Sequence, residues 1–156
     1  MIVRPMTCND LESVLDLQQA GAIVALAKVF PQDRFPFPRE LIVARWREEI
    51  ADPAIETYVA VDDEGDLVGF AATTGPELLH FGTRIDTWGR GVASQLHDVV
   101  VCWLRARASQ PVLFVFAGNR RARAFYEKHG WRATGISRAG DFPPYPTLLE
   151  YTLPTG

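Results

Sequence analysis

A chain of 156 residues suits one domain, residues 1–156, with a sizeable core. Hydrophobic residues at 47% and charged residues at 22% are the ordinary balance of a soluble globular protein. A formal net charge of −3 argues against a general nucleic-acid binder, and no apolar run is long enough to cross a bilayer.

Cys8 and Cys102 form no framework and read as reduced thiols. No signal peptide is legible in Met1-Ile2-Val3-Arg4-Pro5, so the expected compartment is the cytoplasm.

Residues 1–4 read as a short strand ended by Pro5. Thr7 or Asn9 caps a helix with Leu11, Val14, Leu15 and Leu17 on its apolar side, and the pattern continues to Leu26 with a bend expected at Gly21. Pro31, Pro36 and Pro38 break it, because proline cannot sit in a helix interior. Residues 39–51 read as a second helix closed by Pro53, and residues 56–61 and 66–74 as the strands of a hairpin turning at Asp62-Asp63-Glu64-Gly65. A strand over 77–85 leads into Thr87-Trp88-Gly89-Arg90-Gly91-Val92-Ala93-Ser94, and a helix follows with Val92, Leu96, Val99, Val100, Trp103 and Leu104 on one side. A buried strand over 112–117, a short helix bounded by Asn119 and Gly130, a strand over 131–137, a Gly/Pro-rich loop over 138–146 and a last strand over 148–153 complete the chain. There is no internal repeat or linker.

The strand, glycine-rich turn and helix at residues 77–104 make an anion trap. Glycine lets the backbone approach a ligand, and the first N–H groups of a helix have no internal partners. The helix dipole adds partial positive charge, so a phosphate or pyrophosphate is the natural guest. No Gly-Lys-Ser/Thr follows the glycines, which disfavours a P-loop, and no early repeated βαβ unit surrounds the turn, which disfavours a dinucleotide site. Downstream, Asn119 and Tyr126 are seven residues apart, about two helical turns, and share one face.

The order strand, Trp-Gly-Arg-Gly-Val-Ala, helix, strand, Asn-x-x-Ala-x-x-Phe-Tyr-x-x-x-Gly-Trp resembles the GNAT family of acyl-CoA-dependent N-acetyltransferases. Gly91 and Ala93 fit the family's turn. Trp88 stands where Gln or Arg is usual, and Ile85 stands near the place of the family's proline. The resemblance implies a GNAT-type α/β (α+β) fold: a mixed, mostly antiparallel sheet of about six to seven strands, about four flanking helices, and a splay between the fourth and fifth strands. Pantetheine would enter the splay and bond to free backbone groups, with Thr83 near that contact and Gly82 marking either a bulge or a close packing contact.

The resemblance further implies acetyl-CoA as acyl donor, no metal, and a primary amine of a small molecule or peptide as acceptor. Trp88, Gly89, Arg90, Gly91, Val92, Ala93 and Ser94 would hold the pyrophosphate, and Asn119 would both cap its helix and bond the cofactor; Arg120, Arg121 and Arg123 either reach the 3′-phosphate or form a solvated helix face, with Arg90 in the turn the stronger candidate. Tyr126 would protonate the leaving thiolate. A strand-borne glutamate base falls on Glu77, which is expected to share a strand face with Leu79, Phe81 and Thr83; His80 is its rival. Phe30, Phe35 and Phe37, with Phe142 and Tyr145, suggest an aromatic acceptor wall, with Asp33 and Asp141 available to attract a cation. A non-catalytic acyl-CoA-binding or regulatory module on the same fold shares the turn without needing Tyr126. A protein-interaction domain is a third reading. The oligomeric state is open, a homodimer included.

Overall fold

A computed structural model describes residues 1–108 and 110–155. Seven strands, β1 (Ile2–Pro5), β2 (Glu56–Val61), β3 (Leu67–Thr74), β4 (Glu77–Thr83), β5 (Val112–Phe116), β6 (Arg132–Ala139) and β7 (Thr147–Thr152), form one sheet in the order β1-β2-β3-β4-β5-β7-β6. Every neighbouring pair is antiparallel except β4 with β5. Helices α1 (Leu11–Ala25) and α2 (Arg39–Ala51) cover one face, and α3 (Val92–Arg107) and α4 (Arg120–Lys128) the other. This is the expected mixed sheet of the GNAT type.

Each helical pair carries its own core. Val14, Leu15, Ile42 and Trp46 pack on Val59 and Phe70, while Leu96, Val100, Leu104 and Tyr126 pack on Leu78 and Leu113. Trp46, 1% exposed, stands edge-on to Phe70 at 5.7 Å and donates its indole N–H to Gln18 Oε1 at 2.9 Å, which ties α2 to α1 and to the sheet. Truncating such a side chain to alanine costs about 3–5 kcal/mol.

The feature that shapes the site is a failure of pairing. β4 and β5 meet only at Glu77↔Val112 and Leu78↔Leu113. Beyond that point β4 stays on β3 as far as Thr83 and β5 stays on β7 as far as Phe116, so the two facing edges part like a wedge.

Two expectations are corrected. β4 carries a bulge: Thr73 pairs with Leu78 and Ala72 with His80, which leaves Leu79 as the extra residue. The bulge breaks the alternation, so Glu77, Leu79, Phe81 and Thr83 do not share one face; Leu79 packs with α1 and α2 while Phe81 packs with α3 and α4. Gly82 is not the bulge. A Cβ there would lie 2.6 Å from the Phe70 ring, so glycine is required by close packing. As expected, α1 continues through Gly21 as one helix, and the Trp88 ring lies at ordinary contact distance, 3.8 Å, from where a Cβ would stand.

Candidate active site

β4 ends at Thr83, a 3-10 turn spans Ile85–Thr87, and the chain reaches α3 through Trp88, Gly89, Arg90 and Gly91. Gly89 and Gly91 sit at φ +77° and +89°, left-handed backbone that favours glycine, and a Cβ at either would meet nothing within 4 Å. The Trp88 amide donates to Ile85 O at 3.0 Å and the Arg90 amide to Thr87 O at 3.1 Å. Among the described residues, the amides of Gly89, Gly91, Val92, Ala93 and Ser94 donate to no protein acceptor. Five unpartnered N–H groups at the positive end of a 16-residue helix fit an anion such as a diphosphate.

The turn lies on a cavity of about 1390 Å³ that follows the wedge between β4 and β5. Thr83, Trp88, Gly89, Gly91, Ala93, Ser94, Asn119 and Tyr126 all line it, as does Glu77. Arg90 is exposed outside it, and Val92 packs against the core beneath α3. Arg123 is turned away: its guanidinium donates to Tyr151 Oη at 3.0 Å and Ala117 O at 2.9 Å, clamping α4 to β7 and β5. Arg121, named with it, stands at the turn. The Arg121 guanidinium lies 4.0 Å from the centre of the Trp88 ring, whose Nε1 donates to Thr83 O at 3.1 Å. Trp88 thus holds a cation over the turn where the family usually has a polar residue. Asn119 caps α4, its Oδ1 accepting from the Ala122 amide at 3.2 Å.

Tyr126 is 8% exposed, packed among Phe81, Phe125 and Trp131 with ring centroids 5.5–6.4 Å away. Burial pushes its phenol well above the ordinary tyrosine range. The hydroxyl therefore stays protonated and available as a donor into the cavity.

The opposite wall holds a pair that the sequence did not disclose. His80 Nε2 lies 2.7 Å from Glu49 Oε2 and 3.0 Å from Oε1, and the His80 ring packs on Trp46 at 4.8 Å. Glu49 is only 7% exposed. Arg45 stands 3.5 Å from Glu49 and 3.9 Å from Asp141. With Nε2 donating to the carboxylate, the neutral imidazole keeps its lone pair on Nδ1, which has no protein partner among the described residues. The bulge at Leu79 is what turns His80 to this wall. Glu77 stands at the closed end of the wedge, paired with Val112.

A second histidine pair, His97 and His129, has ring centroids 4.5 Å apart behind the turn. Trp131 Nε1–H donates to His97 Nε2 at 2.9 Å, so Nδ1 carries the proton and donates to Asp98 at 3.0 Å. His129 Nδ1 donates to Phe125 O at 2.8 Å and its Nε2 accepts from Ser94 Oγ at 3.1 Å. The two histidines and Asp98 are close enough to ligate a metal. Binding one at His97 Nδ1, however, would force a proton onto Nε2 against the indole N–H. The cluster is a hydrogen-bonded support for α3 and α4.

Burial pushes the His97 imidazole below the ordinary range, against the Asp98 hydrogen bond. The unfolded chain then binds the proton more readily. Stability is fully present above about pH 6.5, the free-imidazole value, and is lost as pH falls from there toward the lowered folded value. Melting temperature should fall between pH 6.5 and 5 in the native chain and fall less in His97→Gln; parallel curves would contradict the assignment.

Residues 20–131 match the model of the acetyltransferase (GNAT) family, and the chain belongs to that family. It is 30% identical, over 108 residues, to the peptidyl-lysine N-acetyltransferase YjaB of Salmonella typhimurium, covering 67% of this chain and 72% of that protein. The solution structure of apo YjaB from Escherichia coli superposes with a TM-score of 0.74 at 20% identity, over 98% of each chain. A spermidine N-acetyltransferase of Vibrio cholerae, solved with CoA and spermine, superposes with a TM-score of 0.70 at 16% identity, over 97% of this chain and 93% of that one. At these identities the two structures speak for the fold. No helix among the described residues is long and apolar enough to cross a membrane.

Proposed function

We propose that this chain transfers an acetyl group from acetyl-CoA to a primary amine by direct attack in a ternary complex, as a single cytoplasmic domain of residues 1–156. The observation that carries the reading is the parting of β4 from β5 after two paired positions, beside five free amides at the start of α3. The amides of Gly89, Gly91, Val92, Ala93 and Ser94, with Arg121 over Trp88, hold the diphosphate. The open strand edges hydrogen-bond the pantetheine arm as a further strand would, and a free backbone N–H polarises the thioester carbonyl.

His80 Nδ1 accepts the proton of the amine, with Glu49 fixing the tautomer and balancing the imidazolium. The amine nitrogen bonds to the carbonyl carbon, the C–S bond breaks, Tyr126 Oη–H protonates the departing sulfur, and the second proton shed by the acylated nitrogen restores the phenol. Glu77 remains a second carboxylate in the cavity; His80 stands ahead of it because its free lone pair lies past the point where the strands part.

Two measurements test this reading. CoA at 100 times its dissociation constant should raise the melting temperature by roughly 5–10 °C. Acetyl-CoA with an amine panel should release free thiol in an amine-dependent way. No thermal shift contradicts the cofactor site. A shift with no thiol release from any amine favours the non-catalytic acyl-CoA-binding module.

A further inference from the structure

We infer that the acceptor is a monoamine on an apolar, ring-bearing body with no second positive charge. This rests on the transferase reading and narrows its substrate. The acceptor arm of the cavity lies between α1, α2, the segment 26–38 and the segment 140–143. Its surface is aromatic. Phe30 stands edge-on to Phe116 at 5.3 Å, and Phe35, Phe37 and Phe142 face the same space. Rings held this way present flat apolar area to a planar body, and edge or offset contacts between rings favour an aromatic guest.

Charge decides the rest. Three carboxylates line the whole cavity: Glu49, Glu77 and Asp141. Glu49 is already shared between His80 and Arg45, and Asp141 also faces Arg45. Glu77 lies at the closed end, where the strands are still paired. The same arm is lined by Arg34, Arg45 and Arg138, spread over the rings of Phe35, Phe142 and Phe114 at 5.6, 5.4 and 4.0 Å. Asp33, a candidate anion in the sequence, is exposed and does not line the cavity. One ammonium arriving beside His80 and Glu49 is accommodated and loses its proton there. A second ammonium a few ångströms further out meets guanidinium groups and phenyl faces that already carry their cations. A polyamine is therefore a poor fit, although a structural neighbour is named for one.

The full-length protein, saturated with acetyl-CoA, should be assayed by thiol release with 2-phenylethylamine, spermidine and a lysine-containing peptide. The expected kcat/KM for 2-phenylethylamine exceeds the other two by at least about tenfold. Arg138→Glu should raise the ratio of kcat/KM for spermidine to that for 2-phenylethylamine several-fold, and an unchanged ratio would count against the charge argument. A preference for spermidine or the peptide, or equal rates on all three, overturns the inference and leaves the transferase reading standing. Thiol release from no amine overturns the transferase reading, and the inference falls with it.

Discussion

Tyr126→Phe should lower kcat by about 10²-fold while leaving the CoA dissociation constant within about twofold, since a positioned general acid contributes roughly 10²–10⁴ in rate. The substitution removes one oxygen from a side chain packed among Phe81, Phe125 and Trp131, so the fold keeps its rings. Only the proton donor is lost. Because burial holds the phenol above the ordinary tyrosine range, native kcat should show no alkaline loss near pH 10, where a free phenol titrates. The sign is fixed by the unfolded chain: its tyrosine ionises first, so stability, not chemistry, declines above pH 10. Unchanged kcat in Tyr126→Phe would remove the residue from the reaction and favour its reading as a core aromatic.

His80→Gln should cost about 10²–10³ in kcat/KM at neutral pH, where the amine arrives protonated and needs a base. Glu49→Gln keeps the shape of the pair and removes the carboxylate that lies 2.7 Å from the imidazole. It should lower the rate about 10-fold, because the carboxylate that holds the imidazole in place is lost. If His80→Gln turns over normally and Glu77→Gln does not, Glu77 is the base and the His80–Glu49 pair is structural.

Much of this site was legible because proline and glycine punctuate the chain. Pro38 and Pro53 bracket α2, and Gly65 marks the β2–β3 turn, so those elements fall where expected. The turn at Trp88 to Ser94 was readable from backbone chemistry alone, since amides need no particular side chain. Contacts between distant residues were not readable. Glu49 and His80 are 31 positions apart, and the Leu79 bulge that joins them depends on how β3 pairs with β4. Without the bulge, strand alternation put His80 on the wrong face. Arg123 offered a charge of the right sign at a plausible place, yet Tyr151 on β7 and Ala117 claim it, while Arg121 is drawn in by Trp88. Gly82 read equally well as bulge or packing; the Phe70 ring against it decides for packing.

The most direct measurement is a crystal structure of the chain with CoA. The diphosphate should lie within hydrogen-bond distance of the amides between Gly89 and Ser94, and the pantetheine should run along β4 beyond Leu78 with its sulfur near Tyr126. CoA bound elsewhere, or β4 and β5 paired as far as Thr83 and Phe116, would contradict the account.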